Sequence, residues 1–179
     1  YGAVKTWSRS ILAQGLTRIE DAGAKVVVMD LALDKRQGSA SDAQLWRIMA
    51  NHRNVVLGMA YDASRSPTYT PDDIRGLVFL EKFAIADNLT LALTKTQHFP
   101  YYDFEPPVSD FTGSAAGVGV FDRETDPDGG LRNARLFYVS TVEYPPSSSK
   151  LPGHFPQSNL ADGVPVALPN IALVAALRV

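Results

Sequence analysis

Gly23-Ala24-Lys25-Val26-Val27-Val28-Met29-Asp30 decides the fold class of this 179-residue chain. The apolar run is β-branched and does not alternate with polar residues. That pattern predicts a strand buried on both faces, as in the middle of a helix-covered sheet. Upstream, Thr6 to Ala22 reads as a helix, with Trp7, Ile11, Leu12, Leu16 and Ile19 at helical spacing on one face. Gly23 then suits the position after a helix end, where φ is often positive. Downstream, Asp34 to Ala40 is a polar loop. Ser41 and Gln44 read as a capping box, and Leu45, Ile48, Met49 and His52 line one face of the next helix. Asn54 to Ala60 is a second buried strand, with Val55-Val56-Leu57-Gly58-Met59 at its centre. Helix, strand, helix, strand at this spacing predicts a parallel pair joined by a right-handed crossover.

Further along, Thr70-Pro71-Asp72-Asp73 starts a helix that ends near Asn88, and Leu89 to Leu93 reads as a strand in preference to a continuation of that helix. Gln97 to Thr112 is rich in aromatics, Pro and Asp and reads as an ordered loop. A strand at Ala116–Phe121 and one at Ala134–Ser140 flank Asp126-Pro127-Asp128-Gly129-Gly130, which predicts a long antiparallel hairpin. Tyr144 to Pro165 is a Pro/Ser/Gly loop, and Pro169 to Arg178 a final helix. The expected fold class is therefore α/β. Its mixed sheet has a parallel, helix-crossover N-terminal half and an antiparallel hairpin in the C-terminal half, with helices packed on the sheet.

Composition narrows the function. Hydrophobic residues make up 45% and charged residues 20%, which is ordinary for a globular domain and argues against global disorder. The net charge of -2 argues against a nucleic-acid binder, whose affinity comes from Lys and Arg on phosphates. With no cysteine there is no disulfide and no thiolate metal site. The apolar stretch from Leu168 to Val179 is too short to span a bilayer. The start at Tyr1 is read as that of a fragment or a processed product.

Four patterns occur in a fixed order. Trp7-Ser8-Arg9 opens a helix, and Gly23-Ala24-Lys25 leads into the strand that ends at Asp30. Ser41-Asp42-Ala43-Gln44-Leu45 precedes the second strand, and Gly117-Val118-Gly119 precedes Asp126 to Arg132. Over roughly Trp7 to Val179 the set resembles the second class of CHASE domain, the cyclase- and histidine-kinase-associated sensory extracellular domain. Ser8 stands where such domains usually have Pro, and 62–112 is longer than expected, so it reads as an insertion within a single domain spanning 1–179. The resemblance implies an extracytoplasmic input domain of a bacterial inner-membrane receptor, with membrane spans beside it. It also implies a cytoplasmic cyclase, histidine kinase or Ser/Thr kinase as output, and a homodimer responding to a small-molecule or environmental signal. It supplies no ligand and no cofactor.

No catalytic set emerges from the residues. His52, His98 and His154 are far apart and out of ligand spacing, so surface or satisfied histidines are the better reading and no metal site is expected. Asp122, Glu124, Asp126 and Asp128 lack the calcium-loop pattern and read as a hairpin turn whose carboxylates pair with Arg132. The candidate site is Arg9, Asp30, Asp42, Asp128 and Arg132, as a ligand-binding or structural polar network; scattered surface charges are the alternative. Phe99, Tyr101, Tyr102, Phe104 and Phe111 either line a cleft or cover an apolar face, and cover is favoured because a long ordered loop must bury something. Three functions follow from these features: a sensory input domain, a ligand-free dimerisation module, and, as the remotest, an α/β hydrolase-like enzyme.

Overall fold

The computed structural model describes residues 7–62, 83, 103–121, 136–140 and 166–178. The fold is α/β, with a mixed sheet and helices on both of its faces. In chain order the described elements are α1 (Arg9–Asp21), β1 (Val27–Met29), α2 (Ser39–His52), β2 (Val55–Asp62) and β3 (Asp103–Glu105). Then come α3 (Ser109–Ser114), β4 (Gly117–Val120), β5 (Phe137–Ser140), β6 (Val166–Pro169) and α4 (Ile171–Ala176).

β2 is the axis of the sheet. It pairs in parallel with β1, Val27 opposite Val55 and Met29 opposite Leu57, and in parallel with β4, Val56 opposite Gly117 and Met59 opposite Val120. Its end turns to antiparallel pairing with β3 over Ala60–Asp62. Because side chains alternate along a strand, these registers sort residues onto two faces. Val27, Met29, Val55, Leu57, Met59, Val118 and Val120 face one way and join Ala13 and Leu16 of α1, Leu45 and Met49 of α2 and Phe111 of α3 in one core. Val56, Gly58, Gly117 and Gly119 face the other way.

That second face is built for close approach. A Cβ on Gly119 would collide with the α4 backbone at Ile171, one on Gly117 with the Val174 side chain, and one on Gly58 with the Phe121 ring. Glycine lets α4 lie directly on β4. Asn170 starts α4, its side chain accepting from Ala172 N at 2.8 Å, and it also bridges Val120 in parallel. Ile171 over Gly119 and Val174 over Gly117 mean that α4 runs antiparallel to β4.

Several expectations change. β1 is not buried on both faces: Val28 is 45% exposed, because β1 pairs only with β2 among the described strands and α4 sits over β4 rather than β1. The buried stripe of α1 is Arg9, Ala13, Leu16 and Glu20, while Ile11 and Ile19 are exposed, so the helix is rotated from the orientation its apolar residues imply. Ser41 does not cap α2; its hydroxyl donates to Gly38 O, and the Asp42 carboxylate takes the backbone amides instead. Among the described residues β5 pairs antiparallel with β6 and not with β4, and Val166–Pro169 is a strand that ends just before α4 begins at Ile171. The expected loop over Gln97–Thr112 contains β3 and the start of α3. Gly23 does take positive φ, 82°. Its N–H donates to Glu20 O at 2.8 Å and that of Ala24 to Ile19 O at 3.4 Å, a paired closure of the helix end. Apart from Phe83, the helix read at Thr70–Asn88 lies outside the described residues, as do the strand at Leu89–Leu93 and the turn at Asp126–Gly130.

Candidate functional site

α1 precedes β1 and α2 follows it, so both run antiparallel to the strands, side by side, with their N-termini together at the carboxyl edge of the sheet. In open α/β sheets that edge is where functional groups collect. Here it holds a buried charge pair. Arg9 Nε lies 3.6 Å from Asp42 Oδ1, with the two side chains 7% and 2% exposed.

The loop from Asp30 to Gly38 supplies the remaining contacts. Arg9 Nη2 donates to Lys35 O at 3.1 Å, and the Arg9 backbone N–H donates to Gln37 Oε1 at 3.2 Å. Asp42 Oδ2 accepts from Gln37 N at 3.1 Å and Gly38 N at 3.2 Å. The guanidinium stacks over the Phe111 ring, 5.6 Å from its centroid. One loop is thereby tied to the first turns of α1 and α2 and to α3. A second tie is exposed: Arg36 Nη1 to Asp110 Oδ2, 2.9 Å. Burial pulls the Arg9 guanidinium below its ordinary pKa, opposed by the charges of Asp42 and Asp34. Arg9 Nε and Asp42 Oδ1 have no hydrogen-bond partner although both atoms are buried. A shift that shortens their 3.6 Å separation would join them directly.

At the opposite, amino edge a second polar cluster links the helix ends. Glu20 is 3% exposed at its side chain; its Oε2 accepts from Asn54 Nδ2 at 2.9 Å and lies 3.4 Å from His52 Nδ1. Asn54 Nδ2 also donates to Ala24 O at 2.9 Å. Sequence reasoning missed this cluster, because Glu20 reads locally as a polar helix end and only the parallel packing of α1 and α2 brings it to Asn54.

Of the candidate residues, the structure brings Arg9 and Asp42 together. Asp30 is exposed at the end of β1, with no hydrogen bond or ion pair among the described residues. Asp128 and Arg132 lie outside the described residues, as do His98, His154, Phe99, Tyr101 and Tyr102. Phe104 and Phe111, 1% and 0% exposed, cover the core. No group of three His, Asp or Glu that could hold a metal ion occurs among the described residues, and none of their helices is long and apolar enough to cross a membrane.

A parallel-centred mixed sheet with helices on both faces, tied at each edge by a buried polar joint, defines an α/β domain. The CHASE2 domain family matches residues 3–177, and the chain belongs to that family. CHASE2 domains are extracellular sensory domains and are not catalytic. No curated protein and no solved structure matches the chain.

Proposed function

We propose that this chain is the extracytoplasmic input domain of a bacterial transmembrane receptor whose output is a nucleotide cyclase, a histidine kinase or a Ser/Thr kinase. The observation that carries the proposal is the placement of α1 and α4. They grip opposite faces of one sheet, α1 through Ala13 and Leu16 and α4 through the glycines of β4. A change at the Asp30–Gly38 loop reaches α1 through Arg9 and α2 through Asp42, and the sheet relates both to α4. Arg9 and Asp42 are the responsive joint; Asp30, Asp128 and Arg132 remain candidates for the signal-contacting surface. The signal is a small molecule or an environmental condition that binds or favours one arrangement of the joint, and the shift is limited by its differential affinity for the two. The receptor acts as a homodimer held in the membrane by flanking segments.

The test is made in the full-length parent in its membrane. Gly119→Ala forces α4 off its seat and should change basal cyclase or kinase output, with expression and membrane content unchanged. Output identical to wild type from a stably inserted variant would contradict transmission through α4.

A further inference from the structure

The described charges are segregated between the two edges of the sheet. At the amino edge lie Arg18 in the last turn of α1, Lys25 before β1, Arg53 between α2 and β2, and Arg178 just beyond α4, all exposed. Against these four cations stands exposed Asp21, with Glu20 buried behind His52. At the carboxyl edge Asp30, Asp34, Glu105 and Asp110 face Lys35 and Arg36, Arg9 and Asp42 neutralising each other. The whole chain carries only -2, so this polarity is an arrangement rather than an excess.

Cations at helix ends also offset the negative end of the helix dipole. Two observations go beyond that. Lys25 belongs to no helix. Arg53 sits at φ 56°, the left-handed region that glycine adopts without cost, although a cation one turn earlier would serve the dipole without strain. The same edge is where α4, running antiparallel to β4, ends.

We infer that the amino edge of the sheet, through Arg18, Lys25, Arg53 and Arg178, is a docking face for an anionic phospholipid bilayer. This rests on the membrane-receptor reading and adds the orientation: the amino edge faces the lipid headgroups and the Arg9–Asp42 joint points away from them, toward the signal. The attraction comes from basic side chains within a Debye length of a negative surface, so it weakens with salt.

The 179-residue chain is tested by flotation with vesicles of phosphatidylcholine alone or with phosphatidylglycerol added. Binding is expected only with phosphatidylglycerol and is lost at high salt. Arg18→Gln, Lys25→Gln and Arg53→Gly should each weaken it by about fivefold. Arg53→Gly suits the left-handed backbone, so its loss of binding is not a loss of fold. Arg47→Gln, on the exposed flank of α2 between the edges, should leave binding unchanged. The inference is overturned by equal binding to both vesicles, by no binding at low salt, or by an equal loss from Arg47→Gln. It is also overturned if the edge variants change stability alone. A parent protein recovered in the soluble fraction would remove the receptor reading whatever the vesicles show.

Discussion

Asp42→Ala tests the joint between α1 and α2 most sharply. Asp42 is the counter-charge to an arginine whose side chain is 7% exposed, and it is itself 2% exposed, so solvent screens the pair little. Truncation leaves the guanidinium with Lys35 O and the Phe111 face, and takes the acceptor from Gln37 N and Gly38 N. Breaking a buried pair from one side costs about 3–5 kcal/mol, because the remaining charge stays desolvated. The two amides belong to exposed residues, so water replaces much of what they lose. The expected loss is therefore about 3–5 kcal/mol, or a fall in Tm on the order of 10 °C. Asp42→Asn keeps an acceptor for the amides and should cost roughly 1–2 kcal/mol less. The Arg9→Met, Asp42→Leu double variant removes both charges and should recover most of the loss. Urea unfolding of the wild type, Arg9→Met, Asp42→Leu and the double variant gives the cycle, with Asp42→Ala and Asp42→Asn measured beside it. A cost below about 1 kcal/mol for Asp42→Ala, or a double variant as unstable as the sum of the singles, would refute the buried pair.

Other substitutions separate the packing claims by sign. Gly119→Ala places a Cβ against Ile171, 2.6 Å from its backbone N, and should cost about 1–3 kcal/mol in thermal melts, whereas Gly15→Ala meets nothing within 4 Å and should stabilise by about 1 kcal/mol. Arg53→Gly should stabilise by roughly 1 kcal/mol by relieving the left-handed residue; a loss on denaturation would show that the Arg53 side chain makes an indispensable contact. Asn54→Ala deprives the buried Glu20 carboxylate of its amide donor and should cost about 2–3 kcal/mol, read by urea unfolding; no change would mean that water reaches Glu20 freely.

The architecture was legible where local chemistry and tertiary packing agree. The apolar runs at Val27–Met29 and Val55–Met59 form parallel strands, and Gly23 takes the positive φ that a helix end invites. Legibility failed where a charge is buried. Periodicity counts apolar residues, so it turned Ile11 and Ile19 of α1 inward; the polar contacts at both edges instead bury Arg9 and Glu20, at the same helical spacing as Ala13 and Leu16. β6 escaped because a four-residue strand beside a proline carries no period, and its pairing with β5 spans a long stretch of chain. Within the candidate site, Arg9 and Asp42 were singled out by motif order, but that they meet depends on two helices packing in parallel, which no local pattern encodes. Gln37 and Lys35 contribute through a side-chain oxygen and a backbone carbonyl in an exposed loop, features without a sequence signature.

The central claim is that this CHASE2 domain lies outside the cytoplasm. The chain contains no cysteine, so a single Ser39→Cys at the exposed start of α2, in a full-length parent cleared of other accessible thiols, reports its side of the membrane. Intact spheroplasts are treated with a membrane-impermeant maleimide. An extracytoplasmic domain is labelled as fully before lysis as after it; labelling that appears only after lysis would place the domain inside the cell and contradict the claim.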